Sequence, residues 1–320
     1  MYDPRLREIE ETLREHSFPK IFAVELNADC NLNCTMCHHD QMRRPKGVMP
    51  HALWRRLADE VAARQPATDV WFSFCGEPLL APERLLENLE YGAAVGLRSM
   101  NLNTNGAYLT REIADRLVDA PLSMIVIGID GLSAPVYEGI RVNARRDEVY
   151  ANVEYLLEKR LERAGGAEIL VQFIEMPENI HEVEDFKQYW LERGATVKVR
   201  NMLSWGGKFV TPMTQLRASR IACPWAMNMM HVFWDGRVPR CPGDTEGEEE
   251  AGNAWEASLA DLWARLGYYR ELHLRHHFEE LPERCQTCTD WMTGASVKLR
   301  PSRHGTFPTA PAPARTESPS

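Results

Sequence analysis

The sequence predicts an α/β fold, a parallel sheet with crossover helices followed by a smaller cysteine-bearing unit. Two observations carry this. From residue 21 to residue 202, short apolar and β-prone runs alternate with longer segments of helical periodicity, and turn residues close each run. After about Trp205 that rhythm stops, and four of the eight cysteines follow. Strands and helices in alternation pack as a parallel sheet with right-handed crossovers.

The elements follow in order. Residues 4 to 16 place Leu6, Ile9 and Leu13 at three-to-four spacing, which reads as an amphipathic lead helix within an N-terminal segment of residues 1–19. Strands are expected at 21–26, 69–74, 98–103, 124–129, 168–174 and 196–202, with helices at 50–64, 82–95, 110–118, 148–163 and 180–192. Pro50 and Pro82 suit the first turns of their helices, where a missing N–H costs nothing. About six strand–helix pairs fall short of a closed eight-strand barrel. This sheet unit spans 20–205. In the next unit, 206–300, Asp235-Gly236 between two β-prone runs reads as a tight hairpin, 246–250 as an acidic solvated loop, and 258–266 as a helix with Leu259, Leu262, Trp263 and Leu266 on one face. The segment 301–320 holds five prolines with little to bury and is expected to be disordered.

Bulk properties narrow the function. With 44% apolar and 26% charged residues the composition is that of a soluble globular chain. No apolar run approaches a membrane span, and the charged N-terminus lacks the core of a secretory signal, so a cytoplasmic protein is expected. In that compartment cysteines serve as ligands or catalysts more often than as disulfides. A formal net charge of -9 argues against nucleic acid as partner and is compatible with a cationic small molecule, or with simple solubility.

The cysteines fall into two sets. Cys30, Cys34 and Cys37 follow the first strand in a C-x3-C-x2-C spacing. Four-iron clusters are normally held by four cysteines, so three would leave one iron open to a substrate or cofactor. A zinc site completed by His38 or His39 is the alternative. Cys223, Cys241, Cys285 and Cys288 form a second set that can close a four-iron cluster completely, or a structural zinc site. Only Cys75 is left over.

The first trio, the stretch Phe74-Cys75-Gly76-Glu77-Pro78 about forty residues later and the cysteine-rich C-terminal part together resemble the radical S-adenosylmethionine (radical SAM) superfamily in its SPASM/twitch branch, over roughly residues 20–292. The resemblance implies a partial (β/α)6 barrel with a twitch-type auxiliary cluster unit, two [4Fe-4S] clusters and S-adenosyl-L-methionine (SAM) as cosubstrate. It implies that the methionine moiety of SAM chelates the open iron and that one electron, from a flavodoxin- or ferredoxin-type reductant, yields a 5'-deoxyadenosyl radical. By the same resemblance Gly76, Glu77 and Pro78 receive the SAM amino group, and Met36 stands where an aromatic residue usually packs near the adenine. Asn103 and Asp130 lie in segments that line the SAM pocket, where Gly128 replaces a frequent serine. Arg141 resembles an arginine that pairs with the methionine carboxylate, a task suited to a bidentate fork. Gln172, polar within an apolar strand, is placed to meet the ribose.

The length and cysteine plan look most like the radical SAM dehydrogenases of aminocyclitol and aminoglycoside antibiotic biosynthesis, which implies oxidation of an alcohol to a ketone with the auxiliary cluster as electron acceptor. Arg200, at the end of the last strand, and Asp244, after Cys241, are the candidates for a substrate-positioning or proton-accepting group. Two alternatives stand beside this reading. A radical epimerase would use Cys75 as hydrogen donor. A peptide-crosslinking enzyme often carries a leader-recognition module, and about twenty residues precede the first strand, too few for one.

Overall fold

In the computed structural model, which describes residues 4–163, 165–211, 220–294 and 297–299, each crossover feeds the next strand of one sheet. Strands β1 (Ile21–Val24), β2 (Asp69–Phe72), β3 (Ser99–Thr104), β4 (Met124–Gly128), β5 (Glu168–Glu175) and β6 (Thr196–Asn201) are neighbours in sequence order and pair in parallel. Helices α2 (His51–Arg64), α3 (Pro82–Ala94), α4 (Arg111–Asp119), α5 (Ala134–Ile140), α6 (Arg146–Leu161) and α7 (Val183–Glu192) supply the crossovers. Strand alternation sorts the side chains. Phe22, Val24, Val70, Phe72, Met100 and Leu102 join Leu53, Trp54, Leu57 and Val61 of α2 in the main apolar core. The opposite face carries Ser73, Asn101, Asn103, Gln172, Lys198 and Arg200. Local signals fix the helix starts: Thr110 Oγ1 accepts from Ile113 N at the N-cap of α4, and Pro82 opens α3.

Two expectations are corrected. The hairpin about Asp235-Gly236 is only a turn. Its first arm, β7 (Met229–Val232), pairs in parallel with the free edge of β1, and its second, β8 (Arg237–Pro239), pairs with β9 (Glu250–Asn253). An uncovered edge offers a row of unpaired N–H and C=O groups, and the wholly buried β7 satisfies it. At the other edge β10 (Val297–Leu299) runs antiparallel to β6, so the sheet has eight strands among the described residues. The acidic loop is not simply solvated, because the Glu246 carboxylate accepts from the backbone N–H groups of Arg43 and Arg44.

The lead helix, α1 (Pro4–Thr12), is shorter than expected, and Leu6 packs with Ile221, Trp291 and Met292 of the C-terminal part. Helix α5 went unforeseen, since Pro135 and Gly139 in seven residues mask its periodicity. The expected helix at 258–266 is α9 (Leu259–Arg265), capped by Ser258. Helices α8 (Pro224–Asn228), α10 (Gly267–Leu274) and α11 (Glu283–Thr287) surround the second cysteine set. The proline-rich segment 301–320 lies outside the described residues. No helix among those described is long and apolar enough to cross a membrane.

A buried ion pair joins the two parts. Arg44 sits in the loop after the first cysteines and Glu25 at the end of β1, and their side chains are 3% and 0% exposed. Arg44 Nε donates to Thr245 O (2.7 Å), and Glu25 Oε2 accepts from Trp234 N (3.1 Å). Removing one member strands the other charge, so Arg44→Met should cost about 3–5 kcal/mol in urea unfolding, and the double variant Glu25→Gln/Arg44→Met clearly less. Equal losses in both variants would refute this account of the pair.

His231, on β7, is buried beside Phe74 and Phe233, and neither ring nitrogen has a partner. Burial, with a smaller contribution from Arg44, holds its pKa down to about 3 from an ordinary 6.5. Between those values the unfolded chain binds a proton that the folded chain does not, so stability falls as pH drops. Between pH 7.5 and 5.5 the wild type should lose about 1 kcal/mol more than His231→Leu in thermal or urea unfolding, and parallel curves would contradict this.

Candidate active site

The first cysteine loop leaves the C-terminal end of β1 and is fastened to the end of α5, with Asn33 N donating to Val142 O (3.1 Å) and Thr35 N to Ile140 O (3.0 Å). Cys30, Cys34 and Cys37 line one cavity of about 130 Å³ together with Met36, Gly76, Glu77, Asn103, Arg141, Gln172 and Arg200. Burial raises the thiol pKa of Cys30 to about 11 and of Cys37 to about 12, so in the free protein these ligands are protonated and a metal must displace the protons. His38 Nδ1 lies 3.1 Å from Thr245 Oγ1, and His39 Nε2 lies 2.9 Å from Ala28 O. Among the described residues no three His, Cys, Asp or Glu side chains gather as a site for a single metal ion.

Gly76 is required by space. A Cβ there would meet Asn27 O at 1.7 Å, so only glycine lets the turn after β2 close against the end of β1. Glu77 is buried; desolvation raises its pKa, and hydrogen bonds from Asn105 N, Leu79 N and Thr104 Oγ1 oppose that rise. Those three donors fill three of about four acceptor positions on the carboxylate, leaving one toward the cavity. Asn105 also donates to Asn31 Oδ1 (2.9 Å) and reaches Cys30 Sγ (3.8 Å). Pro78 is buried at the start of a short 3-10 turn, Pro78–Leu80, and positions the segment without lining the cavity. Met36 is packed with Ile140, Ile174 and Met176.

Asp130 does not line the cavity. It is wholly buried in the left-handed region (φ 67°), pairs with Arg141 and accepts from Ile174 N (2.6 Å). Arg141 Nη1 in turn lies 3.5 Å from Cys34 Sγ. Gly128 makes this arrangement fit, since a Cβ there would sit 2.2 Å from Arg141 Nη2. The replacement of a serine by glycine noted in the sequence therefore gives room to a guanidinium.

All four of Cys223, Cys241, Cys285 and Cys288 line a second cavity, of about 40 Å³. Arg240 Nη1 donates to Cys285 Sγ (2.8 Å), Ser204 Oγ lies 3.7 Å from Cys288 Sγ, and Cys223 N donates to His273 Nδ1 (3.3 Å). Burial raises Cys223 to about 12 and Cys241 to about 11, and pushes Cys288 up as well. Four thiols with cationic and hydroxyl donors around them fit a closed metal centre.

Inside the sheet lies a third and larger cavity, a chamber of about 350 Å³. Trp71, Trp205, Trp225 and Phe74 give it aromatic walls, and Asn103, Gln172, Lys198 and Arg200 its polar groups. Its ionisable lining is basic, against the expectation of a cationic ligand drawn from net charge: the acidity of the chain belongs to other surfaces. Arg200 lines both the chamber and the first cavity. Asp244 lines neither. It is buried, and its carboxylate is occupied by Glu248 N (3.1 Å), Glu249 N (3.0 Å) and Arg284, a loop-capping role in place of one at the barrel mouth. Cys75 lines the first cavity but not the chamber.

Sequence reasoning missed Phe74, Leu203 and Trp205, which line all three cavities. Phe74 has φ 114°, rare for a side-chain-bearing residue, and its ring packs on Trp205, Trp225 and His231. Trp205 Nε1 donates to Met36 O (2.8 Å), tying the first cysteine loop to the segment that follows β6. Nothing in the sequence signals a strained backbone.

Gly128→Ser should make the Arg141 guanidinium shift and weaken its pairing with Asp130, at about 1–3 kcal/mol of unfolding free energy. A variant as stable as the wild type would show that Arg141 has another place to go.

The radical SAM superfamily profile matches residues 24–189, and an iron-sulfur cluster-binding domain, SPASM, matches 223–289. Among curated proteins, the AdoMet-dependent heme synthase of Methanosarcina barkeri is 35% identical over 124 residues, 38% of this chain and 34% of the relative. Mycofactocin maturase MftC of Mycobacterium tuberculosis is 26% identical over 206 residues, 63% of this chain and 49% of the relative. The matches thus span about a third to a half of these relatives. Among solved structures, BtrN in complex with AdoMet and 2-DOIA aligns with a TM-score of 0.60 at 19% identity, covering 86% of this chain and 94% of that one. Streptococcus suis SuiB bound to precursor peptide SuiA aligns with a TM-score of 0.65 at 15% identity, covering 90% and 73%. Both likenesses show the fold. With an α/β sheet whose strand ends carry three cysteines, and an iron-sulfur unit after it, the chain belongs to the radical SAM superfamily and is an enzyme that binds SAM and [4Fe-4S] clusters.

Proposed function

We propose that this enzyme is an oxidoreductase that converts an alcohol on a small polar molecule to a ketone, with Cys30, Cys34 and Cys37 holding the SAM-cleaving cluster and Cys223, Cys241, Cys285 and Cys288 a second, fully ligated one. The observation that supports it most is the meeting of three cavities at Phe74, Leu203 and Trp205. A substrate in the chamber has the cavity of Cys30, Cys34 and Cys37 on one side and four thiols on the other. When bound, the open cluster gives SAM one electron, and the resulting 5'-deoxyadenosyl radical takes a hydrogen atom from the substrate.

The chain's own residues do the rest. Glu77, through its remaining acceptor position, and Arg141, held by Asp130, flank the place for the amino and carboxylate groups of SAM. Asn103 and Gln172 line both cavities, where they can hold the ribose or a substrate hydroxyl. Cys223, Cys241, Cys285 and Cys288 would hold a second cluster able to accept one electron from the substrate once it has given a proton to solvent or a base. The electron spent on SAM would thus be balanced, and alcohol and SAM would become ketone, 5'-deoxyadenosine, methionine and a proton. The reaction type of the aminocyclitol dehydrogenases carries over in this reading; an aminocyclitol does not, since its ammonium would face Arg200.

The likeness to peptide-bound SuiB and to MftC supports a second reading, in which the substrate is a peptide. The epimerase reading has less support. The Cys75 thiol is buried, paired with Arg44 and outside the chamber lining.

The test is anoxic reconstitution, which should give about eight irons per chain from two four-iron clusters, together with dithionite-dependent 5'-deoxyadenosine. Cyclic alcohols deuterated at the carbinol carbon should pass deuterium to 5'-deoxyadenosine and yield ketones lighter by two hydrogens. About four irons with alkylatable C-terminal thiols would defeat the two-cluster assignment. Solvent deuterium in a product of unchanged composition would point to epimerisation, and turnover of peptides alone to the second reading.

A further inference from the structure

The ionisable side chains that line the chamber are all cations. Two of its polar residues, Lys198 and Arg200, are cations two positions apart on β6, so they point to the same face roughly 6–7 Å apart along the strand. No Asp or Glu lines the chamber among the described residues. The nearest carboxylates are already engaged: Asp130 with Arg141 and Ile174 N, and Asp290 with Ser204 N and Gly206 N. Arg200 itself makes one described hydrogen bond, Nη1 to Asn201 O at 3.0 Å, and no described ion pair. Desolvation lowers its pKa to about 10, with Arg141 adding to the fall and Asp130 and Asp290 opposing it. A guanidinium taken out of water with most of its donors uncommitted is an anion site by chemistry, because its fork matches a carboxylate or phosphate.

We propose that the chamber takes a ligand with an anionic group, a carboxylate or phosphate, seated on Arg200, and a ring-shaped remainder between the aromatic walls of Trp71 and Trp225. This rests on the reading of the chamber as the substrate site. Because Arg200 borders both cavities, the anchored end of the ligand lies on the side of the SAM pocket, and the anchor fixes which carbon faces the radical. A chamber of about 350 Å³ is large enough for a ring with its anionic substituent. Arg200 disfavours amines, which would bring a second positive charge beside its guanidinium.

The experiment is calorimetric titration of the reconstituted, SAM-loaded enzyme with benzoate, phenyl phosphate, benzamide and benzylamine, which share a ring and differ in charge. At least one anion should bind tenfold or more tightly than benzamide, benzylamine should not bind measurably, and the tighter anion identifies carboxylate or phosphate. Arg200→Gln should erase the advantage over benzamide, at about tenfold in Kd, and Arg200→Lys should keep part of it. Benzamide or benzylamine binding as tightly as both anions, no binding of either anion, or an advantage that survives in Arg200→Gln overturns the proposal. The wild-type comparison decides even if a variant does not fold. Anion preference without 5'-deoxyadenosine formation would remove the radical reading and leave this one standing; 5'-deoxyadenosine without anion preference would do the reverse.

Discussion

A strand sends alternate side chains to opposite faces, and here that two-residue period divides the labour of the protein. Helices cover one face and take Phe22, Val24, Val70, Phe72, Val197 and Val199 into a dry core. The other face is then free to be polar, because nothing packs against it as a continuous layer. Asn103, Gln172, Lys198 and Arg200 all use that freedom and gather round one chamber. A register slip of a single residue would exchange the two faces and bury both cations under helices. The position of the site is therefore set by the same alternation that sets the fold.

Charges that must be buried are handled in pairs at strand ends. Glu25 with Arg44 closes the end of β1 against the C-terminal part, and Asp130 with Arg141 closes the end of β4 behind the first cysteine loop. Desolvating such groups is costly, and the attraction between partners offsets it only where the remaining lone pairs and protons also find partners. Both pairs largely meet that condition, through Trp234 N and Thr245 O in one case and Ile174 N in the other. The exception is Arg141 Nε, which has no partner and sits by the cavity where SAM is proposed to bind. What these pairs provide is placement: each fixes a turn whose backbone or sulfur atoms face the chemistry.

Much of this could be read in the sequence because it is local. The six strands and their crossovers follow from periodicity and turn residues, and the seven cysteines from spacing. Gly76 and Glu77 stood out by their place after β2, and the structure brings both to the first cavity. What could not be read is long-range or conformational. The capture of Met229–Val232 by the edge of β1 depends on a free edge some two hundred residues away. Asp244 looked free after Cys241 until the backbone of Glu248 and Glu249 folded over it. Lys198 and Arg200 carried a usable signal, two cations at strand period beside Gln172, yet their sign was hidden beneath a net charge of -9.

The neighbours Phe74 and Cys75 show how one backbone setting separates two chemistries. At φ 114° Phe74 turns its ring into the space between the three cavities, and packing against Trp205, Trp225 and His231 holds a conformation that an isolated residue would abandon. Cys75 is thereby held toward Arg44 and Glu25, in the wall behind the first cavity. A thiol placed there can shape the SAM pocket, but it stands apart from the chamber in which a substrate radical would form. The aromatic group that takes the position nearer the chamber has no hydrogen atom to give, and it lines all three cavities. In the proposed reaction a substrate radical in the chamber would face these rings on the side of the four thiols, a layer that an electron can cross, while Cys75 stands outside the chamber lining. For that reason oxidation is proposed ahead of epimerisation.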